Sequence, residues 1–578
     1  MSERRTISKF SHSSPIELII VVAVCAFLFF FGLGAFGLVG ADEPRYAQVA
    51  REMLQRHDYV TPTLNGIAWL EKPALYYWRA MFAFETFGIH DWAARLPSAT
   101  FALGMITVIF FHMRRFRPGA QLDAALITAS CAAVIGFARG ASTDMQLAAP
   151  FTVAMLGWYA WYETGKKFWL LDLYVFLGVA TLAKGPVAPF LAGVIVLIFC
   201  ALRHDIRSAF RTFWIPGILI YSAIVLPWFI LVQMRNPQFL RVFILEHNLG
   251  RFASNLYQHR QPFWYYVPVL LLSLVPWTFF AVPALIEASR SCLKDWRLPM
   301  DSTDRKLIDS YPEFLVIWTF LPILFFSISQ SKLPGYILPS IAPCTILTAD
   351  FIQRHKDDAI SALVIAAHAA LGALAIGLSM VFPYFLLQRL PLPATATSTA
   401  ALVGFLSFAG IYLTLRRTGY RFFQGVTLIP ILIIVGVLLR IDGPAVDNFY
   451  SARPVYQNLK ALDVDRRQVA VFNAKRELRY GLEFYRNQSV SSYNDNEVPF
   501  AEHLLIAREG TKPQFEKLLP GRKIQRVGGF PMQHVEYYIV SPLPAAELPG
   551  IGAPMGAASS EKPVAPATNL PKTPEKQK

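Results

Sequence analysis

The sequence predicts an α-helical polytopic membrane protein of about thirteen transmembrane helices, with a small C-terminal α/β domain. Three observations predict it. The 578 residues are 54% hydrophobic and only 16% charged, which is wrong for a soluble protein of this length. The apolar residues gather in long runs, most of them near the roughly 17–25 residues that a bilayer crossing needs. Basic clusters recur in every second connection, the alternation produced when cytoplasmic loops keep Lys and Arg.

The candidate spans follow in chain order. They are Leu18–Val39, Leu96–Phe111, Ala124–Ala138, Leu147–Trp161, Trp169–Leu182, Val187–Leu202 and Phe213–Met234. Then come Trp264–Ile286, Phe314–Ser329, Tyr336–Phe351, Ile360–Leu386, Ala400–Leu415 and Val426–Leu439. Several are short, and the pair flanking Lys184 can be counted differently. No small-residue cleavage site precedes Asp42, so the first run reads as a retained helix. Placing Arg4, Arg5 and Lys9 in the cytoplasm puts the later basic clusters on the same side. Those clusters are Arg114 to Arg117, Lys166-Lys167, Arg203 to Arg211, Arg290 to Lys306, Arg354 to Lys356 and Arg416 to Arg421. An odd span count then leaves everything after Leu439 outside the cytoplasm.

Residues 1–440 read as the transmembrane domain, with two long external connections at 42–92 and 235–263. Residues 441–543 read as a small external α/β domain, with strands at Val469–Asn473, Leu504–Ala507 and Val535–Val540. Helices are expected at Glu477–Arg486 and Thr511–Leu519. Residues 544–578 are dominated by Ala, Pro, Gly, Lys and Glu and read as a disordered tail. The net charge of +15 is spread over loops instead of forming one patch, which argues against a nucleic-acid partner. The five cysteines show neither CxxC nor metal-finger spacing, so no disulfide framework or structural zinc is expected.

Five clusters fall on the predicted external face. They are Asp42-Glu43-Pro44-Arg45-Tyr46; Glu71-Lys72-Pro73 with Tyr76-Tyr77-Trp78; Arg139 to Asp144; Glu246-His247 with Arg251-Phe252 and Gln258 to Tyr266; and Ser331 to Tyr336. The external face is thus both acidic and basic, whereas the opposite face is almost purely basic. Lys and Arg can hold phosphate oxygens and stabilise charge on a leaving phosphate. Carboxylates can act as bases, hold a hydroxyl or amine, or bind a metal. Interfacial aromatics can flank a sugar or a lipid headgroup.

Each cluster also has a structural reading. Asp42 and Glu43 fit a helix cap and first-turn acid ahead of Pro44. Glu71-Lys72 fits an exposed ion pair. Asp144 fits a cap, His247 and His259 fit satisfied structural histidines, and Arg251 and Arg260 fit lipid-phosphate contacts. Lys332 and Tyr336 fit interfacial anchors, and Lys184 fits a side chain snorkelling from a tight turn.

Asp42-Glu43-Pro44-Arg45-Tyr46, Glu71-Lys72-Pro73, Glu246-His247 with Arg251-Phe252, Gln258 to Val267 and Lys332-Leu333-Pro334-x-Tyr336 together resemble the bacterial lipid A aminoarabinose transferases. These are relatives of the polyprenyl-phosphate-dependent protein O-mannosyltransferases. The resemblance covers about Leu18 to Leu439. It implies a type-C glycosyltransferase fold of the inner membrane. It implies inverting transfer of 4-amino-4-deoxy-L-arabinose from undecaprenyl phosphate to lipid A phosphates at the periplasmic face, giving polymyxin and cationic-peptide resistance.

On that reading the catalytic residues are Asp42, Lys72 and Glu71. Lys72, Arg251, Arg260, Lys332 and Tyr336 are the donor-phosphate ligands. Glu43, Arg45, Tyr46, Asp144, His247 and His259 face the sugar or acceptor. No cofactor is required; a divalent metal, if one binds, would fall to Glu71, His247 and His259. The partners are the lipid-linked aminosugar, lipid A and membrane lipids. The alternatives are the same fold with another sugar or a protein acceptor, and, from a different class, a lipid transporter. A transporter predicts inverted repeats and mid-membrane charges, and the sequence shows neither.

Overall fold

The first apolar run does not stay helical to its end. In the computed structural model, which describes residues 15–250, 261–296, 309–386 and 393–542, an α-helix at Pro15–Cys25 passes into a π-helical turn at Ala26–Phe30. It then opens into irregular backbone up to Ala41. Gly32, Gly34, Gly37 and Gly40 explain the break; Gly32 and Gly40 adopt φ of 63° and 66°, which other residues rarely do. The span expected to reach Val39 therefore ends about nine residues early.

The connection expected as a loop at 42–92 is largely helical. Asp42–Gln55 buries Tyr46, Ala47, Val49, Ala50 and Met53 against Tyr76, Tyr77, Ala80, Met81 and Phe84 of Leu75–Phe87. Between them β1 (Thr63–Leu64) and β2 (Ile67–Ala68) form a hairpin around Asn65-Gly66, both at positive φ, the turn chemistry that matches strand twist.

Every expected span contains helix. Seven helices among the described residues are long and apolar enough to cross a membrane, or eight if one bent pair counts as a span, so the expected count of thirteen is not reached by this criterion. The bent pair is Gln121–Ser130 and Ala132–Ala138, which meet at 65°. The run expected as Trp264–Ile286 is also interrupted, between Tyr266–Ser273 and Thr278–Asp295. The two breaks touch. Ala132 N–H donates to the Val275 carbonyl at 2.9 Å, and the Trp277 indole donates to Ser130 Oγ at 2.9 Å. Each break supplies polar partners that lipid could not, which is the condition for irregular backbone at membrane depth.

At the end of the bundle predicted to be cytoplasmic, Arg117 pairs with Asp309, and Arg354 pairs with Glu287 and Asp350.

The last candidate span runs from Phe423 to Tyr450 through a π-helical turn at Leu438–Asp442 and ends in the short helix Gly443–Tyr450; a second short helix, Arg453–Ala461, and an α/β unit follow. Its strands are β3 (Val469–Phe472), β4 (Val490–Ser492), β5 (His503–Arg508), β6 (Ile524–Phe530) and β7 (Val535–Val540), in the order β4-β3-β5-β7-β6. β4, β3 and β5 run parallel; β7 is antiparallel to β5, and β6 to β7. Continuous apolar runs such as Val469–Phe472 suit strands covered on both faces, and cores lie on both sides of this sheet. β4, β6 and the two short helices were not among the expected elements.

The unit is tied to the membrane domain by polar contacts. Arg453 bonds Asp91, Asp447 and the carbonyls of Gly34 and Ala35. The Tyr485 hydroxyl donates to Asp91 at 2.7 Å and accepts from Leu38 N–H at 2.9 Å. Asn65 donates to Glu483, and Arg51 donates to the Phe484 carbonyl.

Candidate active site

Arg95, near the start of helix Asp91–Phe116, is 1% exposed, yet all of its donors are used. It donates to both Glu43 carboxylate oxygens at 3.1 and 2.7 Å. It also donates to the carbonyls of Leu33, Phe36 and Gly37 at 2.7–2.9 Å. The irregular segment after the first helix is thus wound around one guanidinium. Glu43 further accepts the N–H groups of Val39 at 2.9 Å and Ala141 at 2.7 Å. A carboxylate with two charged donors and two amides has no lone pair left over for a substrate. Glu43, expected to face the sugar or acceptor, instead holds the turn that delivers Asp42.

Asp42 is the first residue of its helix; Ala41 occupies the cap position without a side-chain bond. Its carboxylate is 59% exposed and pairs with Arg45 at 2.5 Å. Acids in a first turn are favoured by the helix dipole. The Arg45 guanidinium lies 5.4, 4.9 and 5.6 Å from the ring centres of Tyr46, Trp69 and Tyr480. Burial opposes its charge, but Tyr46, Asp42, Glu71 and Tyr480 more than offset this and hold its pKa above the ordinary arginine value. The Tyr46 ring is largely buried against Tyr76 and Tyr77 but still lines the cavity that Asp42 faces.

Asp42, Arg45, Trp69 and Glu71 line one cavity of about 1410 Å³, together with Leu333 and the carboxyl edge of the C-terminal sheet. Lys72 follows Glu71 in the segment leading to helix Leu75–Phe87 and is partly buried. A second group surrounds Asp144, the first residue of Asp144–Thr164. Its carboxylate accepts from Lys184 Nζ at 2.5 Å, and that ammonium lies 5.4 Å from the Tyr336 ring centre. Lys184 is thereby an ion-pair partner, not a snorkelling side chain. Gly335 packs against the Asp144 carboxylate so closely that a Cβ there would collide with it. Lys332 donates to the carbonyls of Ser329 at 2.6 Å and Gln261 at 3.2 Å, and so braces the turn that carries Leu333 and Tyr336.

His247 and Glu246 lie on a π-helical segment at Arg241–Gly250, where Glu246 pairs with Arg241. Arg251, His259 and Arg260 lie outside the described residues. Among the described residues no three His, Cys, Asp or Glu side chains converge as metal ligands. Of the nominated ligands Glu71, His247 and His259, the last lies outside those residues. Sequence reasoning missed Arg95, Trp69, Tyr480 and the cations of the C-terminal sheet. Arg95 had a signal, a lone cation entering an apolar run.

The helical bundle, the acid–base site at one end and the sheet above it define a membrane-embedded glycosyltransferase. Residues 15–243 match the dolichyl-phosphate-mannose-protein mannosyltransferase family. A relative from Serratia proteamaculans (strain 568), named undecaprenyl phosphate-alpha-4-amino-4-deoxy-L-arabinose arabinosyl transferase, is 30% identical over 484 residues, covering 77% of this chain and 83% of the relative. One of the same name from Yersinia pestis (strain Pestoides F) is 28% identical over 493 residues, covering 79% and 85%. The chain belongs to this undecaprenyl phosphate-aminoarabinose arabinosyl transferase family. The crystal structure of ArnT from Cupriavidus metallidurans bound to undecaprenyl phosphate shares the fold, with a TM-score of 0.73 at 22% identity over 91% of this chain and 98% of that one. Its apo form gives 0.70 at 21% identity, over 90% and 97%.

Proposed function

We propose that this protein transfers 4-amino-4-deoxy-L-arabinose from undecaprenyl phosphate to phosphate groups of lipid A, at the periplasmic face of the bacterial inner membrane. The observation that carries the reading is the cavity in which the exposed Asp42 carboxylate, held by Arg45, meets Glu71 at the mouth of the bundle. The family relatives supply the donor. The one-sided distribution of basic loops supports the orientation.

In the reaction, an oxygen of the acceptor phosphate forms a bond to the anomeric carbon. The bond from that carbon to the donor phosphate breaks with inversion, and undecaprenyl phosphate leaves with the electron pair. Asp42 lies beside the anomeric carbon, orients the acceptor and steadies positive charge on the sugar. An acceptor phosphate is already anionic, so Asp42 acts by placement and field more than by removing a proton. Lys72 holds the departing phosphate, with Arg251, Arg260, Lys332 and Tyr336 as further candidate ligands. Glu71 and Asp144 are placed to read the cationic amine of the sugar; the Lys184 partner of Asp144 makes Glu71 the stronger of the two. Residues 1–440 are the catalytic domain and 441–543 an external domain above it.

The experiment is transfer in detergent by the purified chain, from undecaprenyl-phosphate-linked aminoarabinose to lipid A, read by the mass of the product. A lipid A product carrying the aminosugar supports the reading. Transfer only of another sugar, or only to a protein acceptor, overturns it.

A further inference from the structure

The roof of the Asp42 cavity is a polar surface that the transfer chemistry leaves unused. It is built from the carboxyl ends of the parallel strands β3, β4 and β5, represented there by Asn473, Asn494 and Arg508. The chain leaves β3 toward β4 on one side and returns to β5 on the other, so the β3/β5 boundary is a switch point. Open α/β sheets bind ligands in the crevice outside the carboxyl ends of their strands at such points. Arg476, the first residue of the eleven-residue helix Arg476–Arg486, adds its charge where the helix dipole already favours an anion.

The charges of the roof are unevenly committed. Arg479 is paired with Asp495, Glu497 and Glu483. Arg476 and Arg508 are exposed into the cavity, and among the described residues neither guanidinium makes an ion pair or a hydrogen bond. The backbone between them is fixed. Asn473 N–H donates to Asn494 Oδ1 at 2.8 Å, the Asn494 amide donates back to Asn473 Oδ1 at 2.8 Å, and Asn473 Nδ2 reaches Gln514 at 3.1 Å. The opposite wall carries Asp42 and Glu71. A ligand spanning the cavity thus meets Asp42 and Glu71 at the membrane side and, at the roof, the Arg476 and Arg508 guanidinium forks beside two carboxylates that already have partners, Asp495 with Arg479 and Glu509 with His534.

We propose that Arg476 and Arg508 form an acceptor-reading site, which binds a phosphate on the saccharide headgroup of the glycolipid acceptor while another part of that headgroup reaches Asp42. The site rests on the proposed transfer for the identity of its ligand, but its chemistry is that of a phosphomonoester. Guanidinium groups match such a group with paired donors, and a point charge would not. The external domain is then a specificity element that selects phosphorylated headgroups from the surrounding lipid.

The test is binding of lipid A to the full-length protein in detergent, by thermophoresis. Wild type is compared with the double variant Arg476→Gln/Arg508→Gln, and dephosphorylated lipid A and inorganic phosphate are run as further probes. The double variant is expected to bind lipid A at least about tenfold more weakly, matching the wild-type affinity for dephosphorylated lipid A. Its affinity for undecaprenyl phosphate stays unchanged, and in transfer its acceptor KM rises more than its kcat falls. Inorganic phosphate that binds wild type as tightly as lipid A does would overturn a headgroup site. Unchanged lipid A affinity in a variant of normal melting temperature overturns the proposal and leaves the transfer reading intact. Arginine-dependent lipid A binding by a wild type that fails to transfer would do the reverse.

Discussion

Asp42 and Glu43 are neighbours in sequence and opposites in environment. Glu43 is enclosed by Arg95 and two amides, while Asp42 faces the cavity with Arg45 alone. Breaking a buried, fully bonded pair from one side costs about 3–5 kcal/mol, because the remaining charge keeps its desolvation penalty. Arg95→Ala is therefore expected to lower the melting temperature sharply, and Arg95→Lys to recover little of it, since an ammonium cannot reach five acceptors. Asp42→Asn should melt as wild type does. A second expectation concerns Gly335. A methyl group there pushes on the Asp144 carboxylate and disturbs its pair with Lys184. Gly335→Ala should lower transfer on the order of tenfold to a hundredfold, with a smaller effect on melting. Near-normal transfer would remove Asp144 and Lys184 from the site. The sequence nominated Asp42, Glu71 and Asp144 because acids at a bilayer boundary are costly. It could not separate Asp42 from Glu43, since the partner that tells them apart, Arg95, lies 52 residues away from Glu43.

Elements differ in how far local pattern decides them. β3, β5 and β7 were legible from apolar runs, and the helix expected at Glu477–Arg486 is found at Arg476–Arg486, ended by Asn487 in the left-handed cap conformation. The broken spans were not legible, because a break inside the membrane is stabilised by another break and not by its own sequence. Within 42–92 the capping reading of Asp42-Glu43-Pro44 places the start of helix Asp42–Gln55, whereas Leu75–Phe87 was missed because its 13 residues are too few for a span and read as part of a connection. One element also carries a pH dependence. Burial holds the His503 imidazole, bonded to Tyr493 and the Ala501 carbonyl at the start of β5, below its ordinary value of about 6.5. Below that value the unfolded chain gains a proton that the folded chain resists. This contribution to stability is thus complete above about pH 6.5 and is lost as the pH falls toward the lower folded pKa. Thermal melts at about pH 7.5 and about pH 5 should show a loss that is smaller in His503→Gln than in wild type. Equal losses would assign the dependence to other groups.

For the whole molecule, the C-terminal unit and the turn that carries Asp42 are joined through one helix. Arg453 and Tyr485 reach Asp91 from above, while Arg95, one turn further along the same helix, holds the turn that carries Asp42. Arg453→Ala should raise hydrogen exchange in residues 33–41 as well as in the external helices, and unchanged exchange in 33–41 would mean that the two parts move independently. The polytopic class was legible in composition and in the apolar runs. The cavity itself was not, because it forms only where the first connection meets a sheet more than 400 residues later. The central claim is tested most directly by mass spectrometry of lipid A from a host lacking its own aminoarabinose transferase but able to make the donor. Wild-type protein should add the mass of the aminosugar to lipid A, and equal amounts of folded Asp42→Asn should add none. Unmodified lipid A with folded wild-type protein, or full modification by the Asp42 variant, would contradict the account.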